Sequence, residues 1–183
     1  MVNPETWVKD EKITPATLNS RIRDVNIGLS EPAHAVLWGS PAYTITGNGA
    51  THELRFSSAS ANRMKLLTTG SVRRGATVTE AGVYDVELQV TSMVQGGAPD
   101  SHLIIFLTVN GKLVGRGIFT ARTAYQQTAH TKRLLHLEAG DHVTARCFTD
   151  SGRVMEFGYS TSGSTGCRFS MHRIGNYPWT PWS

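Results

Sequence analysis

From Gly82 to Val90 the chain alternates strictly. Tyr84, Val86, Leu88 and Val90 are apolar, and Asp85, Glu87 and Gln89 between them are polar. A period of two is the signature of a strand with one buried face. The run SHLIIFLTVNGKLVGRGIF reads as two strands about Asn110-Gly111, a dipeptide that supplies the positive φ angles of a tight hairpin. RLLHLEAGDHVTARCF reads as two more about Ala139-Gly140-Asp141, and GCRFSMHRI as another with Cys167, Phe169 and Met171 on one face. Weaker strand patterns occur near AVLW, HELRF, RMKLL, ATVTE and VMEFGYS. About ten short strands separated by Gly- and Ser-rich turns predict an all-β chain, an antiparallel sandwich or barrel.

Ahead of Pro32 the period changes. Thr14 is a helix cap and Pro15 suits the first helical position. Leu18, Ile22, Val25 and Leu29 then recur at spacings of four, three and four, a narrow apolar stripe, with Gly28 near the end. A helix of about 14 residues is marginal alone, so it packs either on its own domain or on another chain. The expected organisation is an N-terminal attachment segment with a short helix over 1–32, a β head over 33–174 and a Pro/Trp tail over 175–183.

The stretch from His102 to Val109 breaks the alternation. Leu103, Ile105, Leu107 and Val109 lie on one face, and Ile104 and Phe106 on the other. A sandwich strand wetted on one side has no use for apolar residues on both. Either a loop or helix covers the second face, or another subunit does. The second reading is favoured, because large apolar patches mark interfaces. It makes Ile104 and Phe106 oligomer-interface residues, with Leu18, Ile22 and Val25 as a second set on the helix. In the tail, Tyr177, Trp179 and Trp182 alternate with Pro178 and Pro181. Such a stiff aromatic segment is a strap over the protein's own surface or a ligand platform.

Composition narrows the function. Charged residues make up only 17% of the 183, which suits a surface covered by neighbours. The net charge of +4 comes from dispersed cations, including Arg73 and Arg74, and no basic run is interleaved with aromatics; nucleic acid is not an expected partner. Cys147 and Cys167 cannot form a disulfide framework. Both fall on inward faces, where they act as small core residues, bonded only if their Cα atoms lie within about 7 Å. No stretch approaches the ~18 apolar residues of a membrane span, and no signal peptide is expected. The seven histidines form no compact metal motif. The serines of GYSTSGSTG lack the strand–turn–helix frame of a nucleophile, and no paired carboxylates stand out. Catalysis, cofactors and metals are not expected.

Two blocks carry resemblances. Gly82 and Tyr84 entering a long strand, Asn110-Gly111, then Leu137, Gly140 and Asp141 opening another strand, and Phe169 in a closing one, resemble complement globular-head and tumour-necrosis-factor-like domains over about residues 75–174. The resemblance implies an antiparallel jelly roll, a homotrimer and a subunit contact at the central apolar strand. Trp7, Ile13, Thr14, Leu18, Asn19, Arg23 and Asp24 resemble the opening of minor tail proteins of actinobacterial phages, which implies an attachment segment that contacts other virion proteins. Together they imply a virion protein made in the bacterial host cytoplasm: a trimeric tail or baseplate component presenting a head for a host surface glycan or protein. A capsid fibre or decoration protein, and a cellular carbohydrate- or protein-binding module of complement-head type, are the alternatives.

Overall fold

The structure, a computed structural model, describes residues 32–95, 101–121, 126–150, 152–157 and 166–175. Within them the chain is all β. Thirteen strands follow in order: β1 (His34–Trp38), β2 (Tyr43–Thr46), β3 (His52–Glu53), β4 (Ser58–Asn62), β5 (Met64–Thr69), β6 (Val72–Val78), β7 (Gly82–Gln95), β8 (Ser101–Val109), β9 (Lys112–Ala121), β10 (Gln126–Leu137), β11 (His142–Thr149), β12 (Val154–Phe157) and β13 (Cys167–Gly175). The expected helix and Leu18, Ile22 and Val25 lie outside the described residues, as do Tyr177, Trp179 and Trp182.

The strands form two antiparallel sheets. The seven-stranded sheet runs β2-β12-β7-β13-β1-β4, with β10 added on β7. The six-stranded sheet runs β5-β6-β11-β8-β9, with β3 added on β11. Neighbours in these orders are rarely neighbours in sequence, which is the crossed connectivity of a jelly roll.

The alternation read from the sequence decides what lies between the sheets. Tyr84, Val86, Leu88 and Val90 of β7 are fully buried, as are Leu103, Ile105 and Leu107 of β8. Phe169 and Met171 of β13 join Leu37, Phe56, Val143 and Phe157 in the same cluster. Each such side chain removed from water contributes roughly 1.5–3 kcal/mol. The Tyr84 hydroxyl, which would otherwise be an unpaired polar group, donates to the Glu80 carbonyl at 2.7 Å.

Cys147 and Cys167 are free thiols in this layer. Burial pushes the first up to about 12, helped by its neighbour Cys167, and burial pushes the second up to about 11. Neither is a nucleophile near neutrality.

Two turns show why the Asn-Gly and Gly-Asp pairs belong together. Asn110 and Gly111 take φ of 51° and 80°, and Gly140 takes 98°. The Asn110 side chain then spans the two turns. Its Nδ2 donates to Asp141 Oδ1 at 2.7 Å, and its Oδ1 accepts from the His142 amide at 2.9 Å. The hairpin β8–β9 is thereby pinned to the start of β11.

A second irregularity matters for the surface. In the β5–β6 pair Leu67 faces Gly75 but Thr68 faces Arg73, so Arg74 is an extra residue in a bulge. A bulge re-aims its side chains, and Arg74 reaches Glu53 of β3 at 2.5 Å. Beside it Gly75 lies so close to β11 that a Cβ there would meet the Val143 carbonyl oxygen at 2.0 Å.

Phe169 is fully buried and tilts against Phe56 with ring centroids 6.3 Å apart. Phe169→Ala is expected to cost about 3–5 kcal/mol in urea unfolding, the loss of a buried aromatic plus its cavity. At about pH 8 neither thiol is expected to react with an aromatic disulfide reagent until denaturant is added; rapid labelling of the folded protein would place a thiol at the surface.

Candidate assembly surfaces

Each sheet has an outer face, and both carry residues that the interior cannot use. On the six-stranded sheet the odd positions of β8 fill the core, so Ile104 and Phe106 must point outward. Both are half-buried there. Directly opposite residues of paired strands share a face, so the register extends the patch. Ile104 faces Ile118 on β9 and Phe148 on β11, and Thr108 faces Leu113. Ile118 is 51% exposed and Leu113 57%. Polar residues close the patch: Phe106 sits between Arg116 and Arg146. Ile104 and Phe106 lie inside the sheet, on β8 between β9 and β11.

The outer face of the seven-stranded sheet is mixed. One cross-strand row runs His34 (β1), His172 (β13), Asp85 (β7) and Leu134 (β10). The next runs Val36, Ser170, Glu87 and Lys132. Leu134, Ile174 and Trp38 are the large apolar residues exposed here. Diagonal ion pairs tie β10 to β7: Lys132 to Asp85 at 2.8 Å and His130 to Glu87 at 3.0 Å. The other carboxylate oxygen of Asp85, Oδ1, is buried and has no hydrogen-bond partner.

In the first row the rings of His34 and His172 stack with centroids 5.9 Å apart. Burial holds the His172 imidazole below its usual range, and His34 and Arg168 push the same way against the carboxylates of Asp85 and Glu87. Nothing in the spacing of His34 and His172 announces this pair, because the β1–β13 register that stacks them cannot be read from spacing. Among the described residues no three His, Cys, Asp or Glu side chains gather as metal ligands, and no helix is long and apolar enough to cross a membrane.

With the strand order and both faces in view, the architecture can be compared with known ones. No family model matches the sequence, and no curated protein matches it. Solved structures do. The Eiger tumour necrosis factor of S. frugiperda superposes with a TM-score of 0.55 at 14% identity, over 84% of this chain and 99% of that one. Murine APRIL, in a crystal structure at pH 5.0, gives 0.52 at 12% identity, over 79% of this chain and 100% of that one. The fold is a tumour-necrosis-factor-like jelly roll. The match spans essentially the whole of both solved chains. At such identities the likeness is one of backbone.

The lowered His172 value sets a pH dependence. The imidazole binds its proton less readily in the folded state than unfolded, so the unfolded chain takes up the proton first and stability rises with pH. Unfolding free energy is therefore expected to fall as pH drops below about 6.5, the unperturbed value, until the folded imidazole itself protonates. His172→Gln should flatten that segment of a urea-melt pH series; an unchanged slope would assign it to another group.

Proposed function

We propose that this chain is a non-enzymatic, self-associating binding head, a homotrimer, and that it serves in a phage particle as a tail or baseplate component. The observation that carries self-association is the outward apolar patch of Ile104, Phe106, Ile118, Leu113 and Phe148. A two-layer sandwich already has its core, yet Ile118 and Leu113 stay more than half exposed, so full burial of this patch takes another surface. The jelly-roll fold suits a head of this kind. The placement in a virion, with assembly in the bacterial host cytoplasm and contacts to other virion proteins, is supported by the resemblance of Trp7 to Asp24 to phage tail proteins. A capsid fibre or decoration protein would use the same head. A cellular binding module of complement-head type is favoured instead by the fold likeness to Eiger and APRIL. Mass spectrometry of purified particles of the encoding phage separates these readings: absence of the chain from particles would remove the virion role.

A second contact surface has its own support. Asp85 Oδ1 is a buried oxygen without a donor on the seven-stranded sheet, and Leu134 stands beside it at 63% exposure. A partner covering Leu134 would bury its apolar side chain.

The expected mass by light scattering at micromolar concentration is that of a trimer. Phe106→Asp is expected to weaken association by about 3 kcal/mol, roughly a hundredfold, because the contact loses its aromatic ring and gains a hydrated carboxylate drawn toward Arg116 and Arg146. Leu134→Asp reports the other face in the same way. A folded monomer of the parent chain would sink the self-association, and loss only in Leu134→Asp would move the contact to the seven-stranded sheet.

A further inference from the structure

A groove of about 420 Å³ opens where β2 of one sheet approaches β3, β6 and β11 of the other. Tyr43, His52, Glu53, Arg55, Arg74 and Arg146 line it. Its charge is unbalanced: three guanidiniums face a single carboxylate. That carboxylate, Glu53, is engaged by Arg74. Arg55 lies over the Tyr43 ring at 5.1 Å, and the far face of that ring region is closed by Phe157, stacked at 4.7 Å. The Arg146 guanidinium has neither an ion pair nor a hydrogen bond among the described residues.

Each arginine is brought to the groove by a different device of the fold. The bulge aims Arg74, the aromatic ring supports Arg55, and the β3–β11 pairing sets Arg146 directly opposite Glu53. Like charges held together in a concave, half-buried site raise the local potential, and an anion relieves it. Planar guanidinium forks match carboxylate and sulfate oxygens two at a time.

We propose that this groove binds an acidic saccharide, a sugar bearing a carboxylate or a sulfate. The acid group sits among Arg55, Arg74 and Arg146. Thr44 and Thr46, exposed on β2 at the groove wall, bond sugar hydroxyls. Tyr43 supports the wall from behind: its hydroxyl accepts a hydrogen bond from the Arg55 amide at 3.3 Å, and burial holds the phenol well above its ordinary range. The wall is polar, which suits a sugar better than an apolar ligand. A nucleic-acid strand fits less well. It needs a basic track with free aromatic faces for its bases, and the Tyr43 ring is already covered on both sides by Phe157 and Arg55. The groove lies within one chain, so the proposal does not depend on the trimer or on the virion role.

The test is calorimetric titration of the full-length protein at physiological salt with three oligosaccharides of equal length: heparin-derived and sulfated, uronate-only and neutral. Binding of at least one acidic oligosaccharide and none of the neutral one is expected. Arg146→Gln and Arg55→Gln should each weaken it about tenfold or more, while Lys65→Gln, which removes an exposed charge on β5 outside the groove lining, should leave it unchanged. Which acidic oligosaccharide binds distinguishes sulfate from carboxylate. The proposal is overturned if neither acidic oligosaccharide binds, if Lys65→Gln weakens binding as much as Arg146→Gln, or if a single-stranded DNA oligomer binds more tightly and is lost in the same arginine variants. Thermal melts of each variant exclude loss through misfolding, and the two arginines, on separate elements, keep the result decisive if one variant is unstable.

Discussion

The interior of this molecule is one layer of side chains shared between two sheets, and each strand can contribute only alternate residues to it. That geometric limit governs the rest. Tyr84, Val86, Leu88 and Val90 meet Leu103, Ile105 and Leu107 across the layer and fill it to zero exposure. Whatever is apolar on the remaining faces is surplus to folding. Ile104 and Phe106 are such surplus, and the register gathers Ile118, Leu113 and Phe148 around them rather than scattering them. A cluster of this kind persists in a soluble chain when something covers it, so a folding constraint becomes an argument about assembly.

The sequence disclosed the strands whose burial is one-sided and regular. β7, β8, β11 and β13 were legible because their inward faces are large and apolar, and the Asn110-Gly111 and Gly140-Asp141 turns because positive φ demands particular residues. The strand β4, Ser58–Asn62, was not. It carries only Ala59 and Ala61 against Leu37 and Ala35, on an edge where small residues suffice. β2, Tyr43–Thr46, was also missed, since two of its four residues are threonines and Ile45 is its one buried aliphatic. β10 begins at Gln126, well before the apolar run LLHL that announced it, because its first half is held by the backbone ladder to β7 rather than by an apolar stripe. HELRF yielded a two-residue strand, since Leu54 and Phe56 are buried by packing while the backbone turns between sheets.

The groove was illegible for a different reason. Arg55, Arg74 and Arg146 are far apart in the chain, and the cations read as dispersed. They converge because β3 adds to β11 and because one residue is inserted in β6. A bulge has no dependable sequence mark apart from Gly75, and that glycine answers to the Val143 carbonyl, which only the pairing reveals. Charge counted along a sequence therefore underestimates charge gathered by topology.

The patch and the groove meet on β11. Arg146 is flanked by Glu53 on the groove side and by Phe106 on the patch side. An aspartate at 106 would stand directly opposite Arg146, close enough to form a cross-strand ion pair. It would remove the apolar contact and partly neutralise the groove in one substitution. Arg55 has no such double position. It reaches the groove from beside Tyr43, outside the β8, β9 and β11 pairing that builds the patch, so its loss speaks to ligand binding. Conversely, a subunit packed over Phe106 would exclude water from one side of Arg146 and strengthen its attraction for an anion. If both surfaces act as the geometry suggests, ligand affinity rises with oligomerisation, and Arg146 is the residue through which the two are coupled.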